Sequence, residues 1–179
     1  RDSIELDELK HPIHIDLQRI AVDTGGAGRF RGSPSAEVVY GTKRDLMTVI
    51  IPSDGHEVPP QGVHGGLPGA AAATYKLDQL GGREKQPNVC TVQLMPGERI
   101  HGIDCGGGGY GDPLQRDVRR VLQDVLEGWV SREAARRDYG VVLVADASED
   151  GLAVDEAATA QYRLAAAARG GKDALPAAS

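Results

Sequence analysis

A chain of 179 residues with a formal net charge of −6 suits one domain, and its Lys and Arg lie scattered among Asp and Glu. Without a basic stripe or an aromatic platform, nucleic acid is not an expected partner. There is also no apolar run approaching the length of a membrane span and no signal-peptide pattern, so neither a membrane-embedded nor a secreted protein is expected.

The first half shows the short apolar runs of strands. They are expected over residues 11–22, 36–40, 46–51, 70–77, 89–94 and 99–103. Residues 41–45 read as a hairpin connection between the second and third of these. Turns are expected at Gly81-Gly82 and Pro96-Gly97. Residues 53–69, rich in Pro and Gly, read as a long ordered loop or a functional insertion.

The period then changes. Asp112 followed by Pro113, with Gln115 three residues after the cap, predicts a capped helix start. Val118, Val121, Leu122 and Val125 fall on one helical face, and Gly128 supplies the stop. The mixed charges over 116–138 fit a solvated face opposite that stripe, with Trp129 anchoring the joint to the next helix. Ser131 caps a second helix ending at Gly140, 141–144 reads as a buried strand, and Asp155 caps an Ala-rich helix reaching about Arg169. This order predicts an α+β fold: a β-rich part over 1–112 with glycine-rich loops, a helical segment over 113–170, and a flexible tail over 171–179. There is no internal repeat.

With 40% hydrophobic but 4% aromatic residues, the core has to come from Val, Leu, Ile and Ala. Cys90 and Cys105 lack CxxC spacing, which fits a reducing cytoplasm. Glycine is the unusual count, 24 residues, about twice the ordinary share. It clusters at 25–28, 62–69 and 106–111, where the backbone needs a positive φ or a close approach.

The run Gly106-Gly107-Gly108-Gly109-Tyr110-Gly111 before Asp112 has two open readings. It is a tight strand-to-helix corner, or its amides face a ligand at a helix start. A formal GxGxxG at Gly106, Gly108 and Gly111 lacks the following strand and acidic residue of a dinucleotide site, and there is no GxxxxGK[ST]. Arg29 and Arg31 on the first cluster either hold an anion bidentately or pair with acidic residues inside the protein. His11 and His14, three apart in a strand, point to opposite faces and share no metal. His56-Glu57, His64, His101 and Asp104 match no HExxH or zinc spacing, and no Gly-x-Ser-x-Gly is present. The candidate lining residues are therefore Asp23, Gly26, Arg29, Arg31, His64, Asp104, Gly107, Gly108, Gly109 and Tyr110, with none assigned to catalysis or to a metal.

Several blocks occur together and in order: VDTGGAGRFRG (22–32), PPQGVHGGLPG (59–69), GGGGYGDPLQRD (106–117), DVLEG (124–128), VSREAAR (130–136) and YGVV (139–142). This series resembles the C-terminal third of the hydantoinase B family, over about residues 13–163. The family includes the B half of 5-oxoprolinase and N-methylhydantoinase, with relatives in acetone and acetophenone carboxylases. Ser33, where the family usually has glycine, and Cys105, where it commonly has a small or hydroxyl residue, depart from the pattern.

The resemblance implies a hetero-oligomer with a hydantoinase A-type subunit, which binds ATP and Mg and phosphorylates a small cyclic-amide substrate. It implies that any divalent metal of the B half is held by an N-terminal part outside this chain. An opening at Arg1, without an initiator Met, fits a fragment of a longer B subunit. The alternatives are a subunit fragment of an ATP-dependent ketone carboxylase, or a purely structural interface domain.

Overall fold

The computed structural model describes residues 3–146 and 151–170, so the tail expected over 171–179 lies outside them. The fold is α+β, with a β-rich first part followed by C-terminal helices. In chain order the described elements begin with α1 (Ile4–Lys10), β1 (Ile13–Ala21), β2 (Ser35–Thr42), β3 (Met47–Pro52), β4 (Ala73–Leu77) and β5 (Arg83–Lys85). They continue with β6 (Val89–Leu94), β7 (Arg99–Ile103), α2 (Val118–Leu126), α3 (Arg132–Tyr139), β8 (Leu143–Ala145), β9 (Leu152–Val154) and α4 (Glu156–Gly170).

Five strands form an antiparallel sheet in the order β1-β2-β7-β4-β5. The expected hairpin across 41–45 does not form. Both edges of β2 are already taken, by β1 and by β7, so β3 leaves the sheet and pairs antiparallel with β6. The β3–β6 ribbon lays Ile51, Val92 and Leu94 on Ile100 of β7, with Tyr40, Met47, Val49 and Cys90 around them. The four buried residues of this seam are aliphatic, as the composition predicts, with Tyr40, Met47 and Cys90 at its margin.

α1 was not expected. It buries no residue and rests on polar ties: Ser3 caps it, and the Glu8 carboxylate accepts from the Ile15 amide (2.8 Å) and meets Lys43 (3.5 Å). β5 and β9 were also not expected; at three residues each they are too short to carry a period.

The helical part has its own core of Val121, Val130, Ala134, Ala135, Tyr139 and Val141, joined by Ala27 from the first glycine loop. Ser131 and Asp155 cap α3 and α4, through the amides of Ala134 (3.0 Å) and Ala158 (2.9 Å). Gly140, at φ +62°, ends α3 in the left-handed region. The helix expected from Pro113 is broken in two: Asp112 caps a single 3-10 turn, Pro113–Gln115, and α2 starts five residues later under the Asp117 cap. Arg116 between them is extended, because its side chain runs inward to Asp124. The strand expected over 141–144 is shifted to β8; Val141 before it is fully buried, while Val144 within it is exposed. Among the described residues β8 pairs with β9 alone.

The glycine segments 24–33, 60–70 and 104–112 lie side by side, with the third in the middle. Toward the first, Gly26 donates to the Gly107 carbonyl (2.8 Å), Gly107 to Ser33 (2.9 Å), and Phe30 and Tyr110 exchange two bonds of 2.9 Å. Toward the second, Gly109 donates to Leu67 (2.9 Å), Val63 to Gly109 (2.9 Å) and Gly106 to Ala70 (3.0 Å). The outer two also touch, through Leu67 to Ala27 (2.7 Å) and Ala70 to Thr24 (2.8 Å). Backbones this close leave no room for side chains. A Cβ on Gly106 would fall inside the Thr24 carbonyl, and one on Gly32 inside that of Gly107. Neither position has a positive φ, so the requirement is space, as at the crowded axis of a collagen helix.

Gly106→Ala is therefore expected to cost at least about 1–3 kcal/mol by overpacking against a backbone that cannot retreat. Gly102→Ala, whose Cβ would meet only Val38 Cγ1 at 3.6 Å, is expected to be neutral or to stabilise by up to roughly 1 kcal/mol. Urea unfolding of the two variants checks both; equal midpoints would refute the close-packing account.

Candidate functional site

The three glycine segments bring most of the expected lining residues together, but on two faces. On the outer face Tyr110 sits between Phe30 (ring centroids 6.2 Å apart) and His64 (5.1 Å). Phe30 and Tyr110, both about half exposed, are also tied to each other by two backbone hydrogen bonds, which hold the chain beneath the aromatic ledge in place. His64 holds a positive φ of +52°, and the Arg29 guanidinium lies 5.8 Å from the Phe30 ring centre.

The inner face holds Arg31. Its side chain is 9% exposed, its Nε is 3.3 Å from Asp124 Oδ2, its Nη1 donates to the Gly32 carbonyl (2.6 Å), and it stacks 4.9 Å over Trp129. Arg116 donates to the same Asp124 oxygen from Nε (3.1 Å) and Nη2 (2.8 Å), and from Nη1 to the Arg29 carbonyl (3.2 Å). Two guanidiniums thus share one buried carboxylate. Asp23, at φ +60°, accepts from the Ser131 amide (2.7 Å), and its own amide donates to the Trp129 carbonyl (3.1 Å). The two arginines of the loop have parted: Arg31 pairs inside the protein, while Arg29 faces out.

The solvated face expected over 116–138 needs correction at two residues, since Arg116 and Asp124 are buried. Asp124 falls three residues after Val121 on the apolar side of α2. A carboxylate on an apolar stripe was the one signal that pointed to a buried partner.

Gly26, Gly107 and Gly109 have their amides committed to carbonyls of neighbouring segments, as do Gly106, Tyr110 and Gly111. A phosphate cradle needs such amides free, so the glycine run does not fit a nucleotide site. Gly108 packs against the Gln61 carbonyl. Among the described residues there is no group of three or more His, Cys, Asp or Glu that could hold a metal ion.

Asp104, the first residue of the third segment, lines a separate cleft of about 270 Å³ between the five-stranded sheet and the β3–β6 ribbon. Tyr40, Ser53, His56 and Thr74 line it too, and His56 Nε2 is 3.1 Å from Thr74 Oγ1. A second constellation that the sequence did not group is Arg19, Glu37 and His101, from β1, β2 and β7. Glu37 lies 2.6 Å from Arg19 Nε and 2.7 Å from His101 Nε2. Its carboxyl is held below the usual carboxylate range, first by the Arg19 hydrogen bond and then by that of His101, against the opposing effect of burial. Burial pushes the Tyr139 phenol up to about 12.

Residues 1–113 match the family model described as hydantoinase B/oxoprolinase. The chain is 36% identical over 168 residues to the caprolactamase subunit beta of Pseudomonas jessenii, covering 90% of this chain and 28% of that one. The crystal structure of the ATP-dependent caprolactamase from the same organism superposes with a TM-score of 0.71 at 30% identity, over 90% of this chain and 28% of that one. The nucleotide-free structure of acetone carboxylase superposes with a TM-score of 0.83 over 98% of this chain and 27% of that one; at 24% identity it shows the fold alone. The chain thus spans just over a quarter of the length of these relatives.

Removing the shared carboxylate by Asp124→Ala strands two buried guanidiniums and is expected to cost about 3–5 kcal/mol, measured by urea unfolding; a change below 1 kcal/mol would contradict the buried network. Tyr139 and Glu37 contribute opposite pH dependences. The raised Tyr139 contribution is complete below the phenol's ordinary value near 10 and is lost as pH rises through about 12. The lowered Glu37 contribution is present above the ordinary carboxyl value of 4.5 and is lost as pH falls through its lower folded value. Unfolding midpoints followed across acid and alkaline pH in Tyr139→Phe and Glu37→Gln check the two signs.

Proposed function

Because this chain belongs to the hydantoinase B/oxoprolinase family, we propose that it is part of a B-type subunit that opens a cyclic amide at the expense of ATP. The observation that carries this reading is the 36% identity to a caprolactamase subunit over nine-tenths of the chain. An A-type partner subunit binds ATP and Mg and transfers the terminal phosphoryl group to the amide oxygen, releasing ADP. Water then adds at the activated carbon, the C–N bond breaks with the proton passing to the amine, and a second water hydrolyses the resulting acyl phosphate to carboxylate and phosphate. Phosphorylation is needed because an amide is a poor electrophile and oxide a poor leaving group.

Within such a subunit this chain acts as a rigid framework. The amides of Gly26, Gly106, Gly107 and Gly109 are committed internally; on the family resemblance, ATP and Mg are assigned to the partner and any divalent metal to residues outside this chain. A cytoplasmic location accords with two free cysteines, Cys90 and Cys105. No helix among the described residues is long and apolar enough to cross a membrane.

In the full-length subunit with its A-type partner, ATP consumption is expected to rise with ring opening across a panel of caprolactam, 5-oxoproline and hydantoins. Absent or uncoupled turnover on the whole panel would sink the hydrolase reading. The sequence similarity to carboxylase subunits, 28% identity over 196 residues to the acetone carboxylase alpha subunit of Xanthobacter autotrophicus, makes ATP-dependent ketone carboxylation the rival, so labelled bicarbonate belongs in the same assay; label incorporated into a carboxylated product would select it. The 179-residue chain alone is expected to show neither ATPase nor lactamase activity.

A further inference from the structure

The outward arginine of the glycine loop is not used by the framework. Arg29 lines an open cleft of about 410 Å³ together with Phe30, Gln115, Asp117 and Arg120. Among the described residues neither the Arg29 nor the Arg120 guanidinium is hydrogen-bonded or ion-paired; Arg29 lies against the Phe30 ring, and Arg120 is engaged only through its backbone amide. Arg116 and Arg31 lie behind this wall on their single carboxylate, Asp124. Four guanidiniums therefore meet two carboxylates, in a chain whose formal charge is −6. Asp117 is turned to the helix start, where its Oδ1 accepts from the amides of Arg119 (2.9 Å) and Arg120 (3.1 Å).

We propose that this cleft binds a phosphate monoester with a small apolar body. The two free guanidiniums would meet the phosphate oxygens in charge-assisted pairs, and the half-exposed Phe30 ring would cover the apolar part. The Phe30 backbone is fixed by its two bonds to Tyr110, so ordering on binding is confined to side chains. Local positive charge on an otherwise acidic molecule draws a dianion more strongly than a monoanionic carboxylate. The proposal deepens the amide-hydrolase reading, on which it rests for the identity of the ester: the phosphorylated substrate formed with ATP.

Calorimetric titration of the 179-residue chain with phenyl phosphate, inorganic phosphate and benzoate, at fixed ionic strength, tests it. Phenyl phosphate is expected to bind one-to-one and roughly tenfold more tightly than either other probe. Arg29→Ala and Arg120→Ala should each weaken it roughly tenfold, and Phe30→Leu should remove the preference for phenyl phosphate over inorganic phosphate. Arg44→Ala, on an exposed loop, should change nothing. All four positions are exposed, and unchanged urea midpoints will confirm that the variants fold. No saturable binding, equal binding by the Arg29→Ala/Arg120→Ala double variant, or the same loss in Arg44→Ala would overturn the site. If phenyl phosphate binds as expected but the assembled enzyme opens no lactam with ATP, the hydrolase reading falls and the cleft stands.

Discussion

Three stretches of backbone pressed together without side chains between them set the terms for this fold. The 24–33, 60–70 and 104–112 segments hydrogen-bond one another as strands of a sheet would, yet belong to none of the sheets. Their proximity forces glycine at positions where a Cβ would enter a neighbouring carbonyl, and glycine loses more entropy on ordering than any other residue. The mutual hydrogen bonds offset that cost by leaving few amides in need of water. What results is a stiff slab between the β-rich part and the helices. On one side Ala27 enters the helical core, and on the other the Thr24 hydroxyl donates to the Ala21 carbonyl of β1 and accepts from the Ser35 amide of β2.

The slab is fastened to the helices by charge. Asp124, on the apolar side of α2, holds Arg31 from the first glycine segment and Arg116 from the joint before α2. Burying such a group is unfavourable unless it is fully paired, and here pairing also sets geometry. Arg116 has to remain extended to reach Asp124, which divides the expected helix into a 3-10 turn and a separately capped α2. Trp129 and Tyr139 flank the guanidiniums, so two of the few aromatic side chains serve the charged joint. Phe30 and Tyr110, by contrast, are left facing solvent on the opposite side of the slab.

The division of roles follows from this arrangement. A glycine-rich backbone whose amides are consumed internally is a framework. What this part can offer a ligand is confined to the side chains that the slab displays.

Local signals determined the elements. Short apolar runs bounded by turn residues placed β6 and β7 at their observed bounds, and the Ser131, Gly140 and Asp155 caps placed α3 and the start of α4, because a cap or a turn depends on a few neighbouring residues. The ordered glycine blocks carried the family resemblance as well. Tertiary structure decided what local signals do not encode: β3 leaves β2 because another strand already holds that edge, and short β5 and β9 exist only through their partners. It also decided the fate of the candidate site. Arg29 and Arg31 are two residues apart and chemically alike, and only the position of Asp124, ninety-three residues beyond Arg31, sends one inward and leaves the other on the surface.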